Sequence, residues 1–257
     1  MLRSDKESAD PTSLPIPGAP LEGIVVVDKP LGMTSFGVVA RVRRRAGGVR
    51  TGHAGTLDPL ATGVLVLALG KATKSIDRLM ATDKRYRTTV DLSAFTTTDD
   101  REGERTDVPV DAPPSIERVA EVVRRFVGVI AQRPPAFSAM KVGGRRSYDL
   151  ARAGSLHEHP ARPVRIDAIE IERYAYPELD LDIRCGKGTY IRSLARDIGL
   201  ALGTGGHCAT LRRTAVGPFT EAVAHAIESL GDPLRSDAVI PLATALGMLT
   251  DSASPSR

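Results

Sequence analysis

Leu179-Asp180-Leu181-Asp182-Ile183-Arg184-Cys185 alternates apolar and polar residues without a break, the period of two expected of a strand with one buried and one wet face. The β-branched run Val164 to Ile171 precedes it, and the two read as neighbouring strands. Upstream, Tyr86, Thr88, Val90 and Leu92 alternate with Arg87, Thr89 and Asp91, while Ile24–Val27 and Val64–Leu69 are continuous apolar runs short enough for buried strands. Helical spacing is rarer. Val38, Val39, Val42 and Ala46 follow Ser35 as a cap and leave arginines on the opposite face before Gly47-Gly48. Val119, Val122, Val123, Phe126 and Val127 follow Ser115 and close at Gly128, and Ile191, Leu194, Ala195, Ile198 and Leu202 follow Thr189 and close at Gly203. Strands outnumber long helices, which predicts an α+β fold on a mostly antiparallel sheet.

The 257 residues can bury a substantial core, and 42% hydrophobic with 26% charged is ordinary for a globular protein, so composition names no function. The net charge of +4 is small but clustered. Arg41, Arg43, Arg44, Arg45 and Arg50 form one group, and Arg133, Lys141, Arg145, Arg146 and Arg152 another. They read either as a surface that follows phosphates or as two solvated faces. Cys185 and Cys208 lack the number and spacing of a disulfide framework or a zinc site, read as buried small apolar residues, and suggest a reducing compartment. Residues 1–20 carry no apolar core and read as a disordered leader, and 251–257 as a disordered tail. The longest apolar run is far below the roughly 18 residues of a bilayer crossing. A cytoplasmic protein without a membrane partner is therefore expected.

Gly52-His53-Ala54-Gly55-Thr56-Leu57-Asp58-Pro59-Leu60-Ala61-Thr62-Gly63 reads as a loop rich in small residues. Its glycines permit close approaches, and Pro59 stiffens the chain directly after a carboxylate. Taken alone, Asp58 reads more readily as a turn residue than as a catalyst. Neither His53 nor the pair His157 and His159 sits among enough partners for a metal site, and the latter pair reads as surface. Gly63 to Lys71 has the wrong glycine spacing for a phosphate-binding P-loop.

This loop resembles the signature of the TruB family of bacterial tRNA pseudouridine synthases. Gly23 to Pro30 with Gly32-Met33-Thr34-Ser35 is similar to the family's first motif, Lys84-Arg85-Tyr86 to its Lys-x-Tyr strand entry, and Gly188-Thr189-Tyr190-Ile191-Arg192 to its last catalytic motif. Gly206-His207 with Leu211-Arg212-Arg213, and Pro134-Pro135 through Tyr148, also match. Where the family commonly reads Thr-Asp-Thr-x-Asp, this chain has Thr96-Thr97-Thr98-Asp99-Asp100, with Asp100 in place. The resemblance runs from about Gly23 to Phe219. It implies a pseudouridine synthase fold: a mostly antiparallel mixed sheet flanked by helices, a catalytic domain over 21–220, an RNA-gripping insertion at 133–165, and a short helical extension at 221–250. It also implies that the usual C-terminal RNA-binding domain is lacking, since the sequence stops soon after Met248.

The activity implied is isomerisation of the uridine at position 55 of the tRNA T-loop, without a metal or other cofactor, by a monomer. Moving uracil from an N1 to a C5 linkage calls for a nucleophile or an electrostatic partner beside C1′ or C6, and the resemblance assigns this to Asp58. A desolvated carboxylate needs a cation to stay ionised, and Arg192 is assigned that part. Tyr86 offers a face for stacking and a hydroxyl for the C5 proton, although a core tyrosine would look the same. By the same resemblance His53, Tyr190, Leu211, Lys29, Lys84 and Asp100 contact substrate, and Arg133, Lys141, Arg145 and Arg146 contact the RNA backbone. Two rival readings remain: a tRNA-binding and folding protein with its catalytic residues idle, and a glycosidic hydrolase, for which a second carboxyl group is wanting.

Overall fold

The structure is a computed structural model describing residues 21–135, 141–142, 145–146 and 159–251. The expected leader, the tail from 252 and most of the 133–165 insertion lie outside the described residues. The chain opens with the buried run of β1 (Gly23–Lys29) and turns into α1 (Ser35–Arg45). Thr34, not Ser35, caps this helix, accepting from Gly37 N at 2.9 Å. Next come β2 (Thr51–His53), β3 (Ala61–Leu69), the short α2 (Ile76–Met80) and β4 (Lys84–Asp91). A small hairpin follows, β5 (Ala94–Thr96) and β6 (Arg105–Asp107), in the stretch that holds Thr96-Thr97-Thr98-Asp99-Asp100. Then α3 (Ile116–Arg124) starts at its Ser115 cap and ends before Phe126, and Gly128 begins β7 (Gly128–Gln132) rather than closing the helix.

A two-stranded ribbon, β8 (Lys141–Val142) and β9 (Arg145–Arg146), precedes the long pair β10 (Arg162–Ala175) and β11 (Glu178–Cys185). Helix α4 (Ile191–Leu202) follows, ended by Gly203 in the left-handed conformation at φ 75°. Thr189 does not cap it: its hydroxyl turns back to the Gly186 carbonyl, 3.2 Å away. The chain then forms β12 (His207–Val216), β13 (Phe219–Thr220), β14 (His225–Ala226) and α5 (Leu242–Asp251). The region beyond 220 is thus more than helical, because β14 joins the sheet beside β1.

One sheet orders these strands β14-β1-β3-β12-β4-β11-β10-β7, with β2 and β13 added on β3 and β12. Two of its pairs are parallel, β1 with β14 and β3 with β12, and the rest antiparallel, so it is mixed and mostly antiparallel. One face packs on α1, α3 and α4 through Val38, Val42, Val119, Leu181, Ile183 and Ile198. The opposite face of β1 and β3 is covered by Leu79, Phe219 and Ala245. Each such fully buried valine, leucine, isoleucine or phenylalanine stabilises the fold by about 1.5–3 kcal/mol relative to exposure, so the alternation seen in the sequence translates directly into layers.

The feature that builds the site is a fork. β1 follows one edge of β3 along its length, but the other edge pairs with β12 only at Ala61–Gly63 and with β2 only at Leu67–Leu69. Between the two branches the chain from 54 to 60 is held out of the sheet. The predicted loop is therefore shorter than its sequence, since Thr51–His53 and Ala61–Gly63 are already strand.

Candidate active site

Arg213 fills the fork. Its side chain is 1% exposed; Nε donates to the Val64 carbonyl at 2.8 Å, and the terminal nitrogens to Gly55 at 3.1 Å and Thr56 at 3.5 Å. The guanidinium thus satisfies carbonyls that the diverging strands leave behind. The backbone opposite is Gly63 at φ 99°, where a Cβ would lie 2.2 Å from the Arg213 carbonyl oxygen, so glycine is required there.

Three further contacts grip the loop on either side of Asp58. The Ser35 hydroxyl donates to the Leu57 carbonyl at 2.9 Å and accepts from Leu57 N at 2.8 Å. Gly32 N donates to the Pro59 carbonyl at 2.8 Å. Lys29 Nζ donates to the carbonyls of Met33 at 2.6 Å, Pro30 at 2.9 Å and Pro59 at 3.4 Å. Lys29 is fully buried, so its expected contact with substrate is replaced by a structural one; burial pulls its ammonium down to about 8 despite the opposing charge of Asp58.

The Asp58 carboxylate meets Arg192 Nε at 3.0 Å. Arg192 is the second residue of α4, which aims its side chain back at the loop. Its Nη1 donates to Asp100 Oδ2 at 3.0 Å and to the Thr98 carbonyl at 2.8 Å. Asp100 in turn accepts from the Thr98 hydroxyl at 2.6 Å and from Glu102 N at 3.0 Å. One guanidinium therefore bridges two carboxylates of unequal access: the Asp58 side chain is 36% exposed and that of Asp100 only 4%. Asp100 lies behind Arg192 and holds it in place, a correction to its expected contact with substrate.

Asp58 opens into a hollow of about 250 Å³ whose walls include Tyr86, Lys84, Tyr190, Leu211, Arg192 and Arg213. Tyr86 stands directly across from Arg213 in the pairing of β4 with β12, both interior strands. Burial pushes its phenol up, with the nearby Arg213 guanidinium pulling the other way. Lys84 lines the wall, but its Nζ donates to the carbonyls of Met80, at 2.6 Å, and Thr82, and burial lowers its ammonium to about 8. The Tyr190 backbone is bonded in both directions to the Gln132 amide, at 2.8 and 3.1 Å, and the Arg162 guanidinium lies 5.3 Å from its ring centroid. Leu211 separates this hollow from a wider opening of about 390 Å³ that contains neither Asp58 nor Arg192.

His53 ends β2 opposite Leu67 and is not among the residues lining the hollow. His159 is buried rather than at the surface. Of the expected backbone contacts, Arg133 is exposed, its carbonyl accepting from Arg196 at 3.0 Å, while the side chains of Lys141, Arg145 and Arg146 lie outside the described residues. Both cysteines are buried, with thiols pushed up to about 12. Sequence reasoning read Ser35 as a helix cap rather than as a clamp on the loop, named Thr98 and Arg213 only within motif segments, and gave no role to Gln132. A buried arginine on an alternating strand is the one local sign that could have singled out Arg213.

A mixed sheet forked around a carboxylate and arginine pair, with a tyrosine in the adjoining wall, defines the class: this is the fold of the pseudouridine synthases. Two solved structures carry it at similar sequence. One, a Cbf5-Nop10-Gar1 complex, has a chain 30% identical with a TM-score of 0.70 over 95% of this chain and 69% of that one. The other, an H/ACA RNP bound to a substrate RNA containing 2′-deoxyuridine, gives 29% and 0.64 over 90% and 61%. The family model of the TruB pseudouridylate synthase N-terminal domain matches residues 43–191, and that of the tRNA pseudouridylate synthase B C-terminal domain matches 192–243. The tRNA pseudouridine synthase B of Caulobacter sp. (strain K31) is 48% identical over 89% of this chain and 75% of its own length, and that of Corynebacterium diphtheriae 50% identical over 81% and 72%. The chain belongs to the TruB family of pseudouridylate synthases. The match over 192–243 narrows the expectation of a missing C-terminal domain, since residues from α4 through β14 already fall within that family model. Among the described residues no helix is long and apolar enough to cross a membrane.

Proposed function

We propose that this protein isomerises a uridine of tRNA to pseudouridine, that the target is the T-loop uridine at position 55, and that Asp58 is the reacting carboxylate. The observation that carries the reading is the unequal sharing of Arg192: its buried side is held by Asp100 and the Thr98 carbonyl, while its other side presents Asp58 to the hollow. The names of the Caulobacter and Corynebacterium relatives support tRNA as the substrate.

In the isomerisation the bond from uracil N1 to C1′ breaks and one from C5 to C1′ forms. A proton leaves C5 and one is gained at N1, so atoms and electrons balance without a co-reactant. Asp58 stabilises or captures the electron-poor centre created when N1 departs. Arg192, immobile between its partners, fixes the direction from which the carboxylate acts. Tyr86, in the wall of the hollow, supplies the stacking face for the extruded base, and its hydroxyl takes the C5 proton. Extrusion costs a few kcal/mol, least for a loop nucleotide, which favours a T-loop target.

The test is release of tritium from C5-tritiated tRNA transcript. Wild type should release tritium without free uracil, and Asp58→Asn should bind the transcript within about threefold of wild type while releasing none. Tritium release by Asp58→Asn at the wild-type rate would remove the carboxylate from the mechanism. Free uracil would mark a hydrolase, and binding without release by wild type a folding protein.

A further inference from the structure

We propose that Phe36, with Leu31 beside the same loop, is a stacking surface for a nucleobase flanking the target uridine, and that Arg43 holds a phosphate further along the same strand. The proposal rests on the RNA substrate argued above and adds a second base contact outside the catalytic hollow.

The chain has no tryptophan and few aromatics. Of the phenylalanines in described residues, Phe219 is buried and Phe95 and Phe126 are half-buried, whereas Phe36 is 77% exposed. A scattered exposed apolar side chain needs no explanation, but the position of this one is not arbitrary. Phe36 follows Ser35, whose hydroxyl grips Leu57. Leu31, 56% exposed, precedes Gly32, whose N–H grips Pro59. The two exposed side chains are thus each one residue out from the hydrogen bonds that clamp the neighbours of Asp58. Phe36 stands in the first turn of α1, one residue past the clamp on Leu57, and Leu31 lines the wider opening that Leu211 separates from the catalytic hollow. The surface they offer therefore lies outside the hollow but within roughly one or two nucleotides' length of the Asp58 backbone.

The surface around them selects the occupant. Phe36, Ala40 and Arg43 recur at helical spacing on one exposed stripe of α1. Ala40 is small enough to leave the ring face open, and Arg43 stands about two turns away, exposed, its Nε donating to the Gly48 carbonyl. Arg41 and Arg44 flank the stripe. A flat aromatic face followed by cations is the pattern that reads single-stranded RNA by stacking and phosphate contact, and the positive charge disfavours a basic or purely apolar protein partner.

The experiment measures binding and single-turnover rate on an unmodified T-arm stem–loop transcript for wild type, Phe36→Leu and Phe36→Tyr. A second series of transcripts carries an abasic site at each nucleotide flanking the target in turn. Phe36→Leu keeps an apolar side chain but loses the flat face, and should bind about tenfold more weakly or worse, the scale of one lost base stack. Phe36→Tyr should remain near wild type. The defect of Phe36→Leu should vanish on the one abasic transcript that lacks the stacked base. Binding and turnover by Phe36→Leu within about twofold of wild type, or a defect of equal size on every abasic transcript, overturns the proposal. A wild-type protein that neither bound nor isomerised the intact transcript would sink the functional reading, and this one with it. Wild-type activity with an unaffected Phe36→Leu would sink only the stacking role.

Discussion

Arg192 sits between a buried and an open carboxylate, and the asymmetry sets what each can do. Removing one partner of a buried pair leaves an uncompensated charge, a loss of about 3–5 kcal/mol, so Asp100→Ala should lower the melting temperature as well as turnover, whereas Asp58→Asn should leave the melt nearly unchanged; equal melts for the two variants would contradict this division. Tyr86 yields a second prediction at this scale. Burial raises its phenol, so at neutral pH the hydroxyl carries its proton, and the phenolate fraction grows with each unit of pH below the raised value. If Tyr86 accepts the C5 proton, the single-turnover rate should climb from about pH 7 to about pH 9, and Tyr86→Phe should abolish the climb. A wild-type rate flat over that range would confine Tyr86 to stacking. The identity of these residues was legible in the motifs. Their division of labour was not, because nothing in Thr98-Asp99-Asp100 says which carboxylate turns inward; the hairpin of β5 and β6 and its contact with α4 settle that.

At the scale of elements, the fork between β2 and β12 turns a glycine-rich stretch into a rigid platform. Gly63 belongs to two pairings at once, facing Lys29 on β1 and Arg213 on β12. Gly63→Ala combines a positive φ with a Cβ 2.2 Å from a backbone oxygen, which neither chain can relieve without opening the fork. The expected cost is about 2–3 kcal/mol, a fall of several degrees in melting temperature, with a larger loss of turnover because the Arg213 backbone must shift. A melt within about a degree of wild type would show that the fork is softer than its packing implies. Helix α1 was readable from its apolar spacing, and so was the presence of a hydroxyl at its start. Which hydroxyl caps it was a tertiary matter: Thr34 caps, because Ser35 is engaged with Leu57 across 22 residues of sequence.

For the molecule as a whole, two buried ammonium groups link stability to pH. Burial lowers the Lys29 and Lys84 ammonium groups to about 8 in the folded chain, from 10.5 for a lysine in water. Between those values the unfolded chain binds more protons, so their contribution to stability rises with pH through that window; below pH 8 both states are protonated and the burial cost is felt in full. Urea melts at several pH values should therefore show wild type gaining on Lys29→Met as pH rises from about 8 to about 10. A constant difference would mean that the carbonyl cage around Nζ compensates the desolvation.

By itself the sequence determined the core strands β1, β3, β4, β10 and β11, the helices α1, α3 and α4, and the loop that carries Asp58, because periodicity and local backbone chemistry act over a few residues; the shorter strands, and β12 with them, carry too little pattern to be read that way. Only the tertiary structure decided that Lys29 and Asp100 are internal struts, that Arg213 fills the fork, and that His53 stays out of the hollow. Those outcomes depend on contacts between residues distant in sequence, from 30 residues for Lys29 and Pro59 to 92 for Asp100 and Arg192 and further still for Tyr86 facing Arg213, and a pattern of alternation states which face a side chain takes without stating what it will meet there.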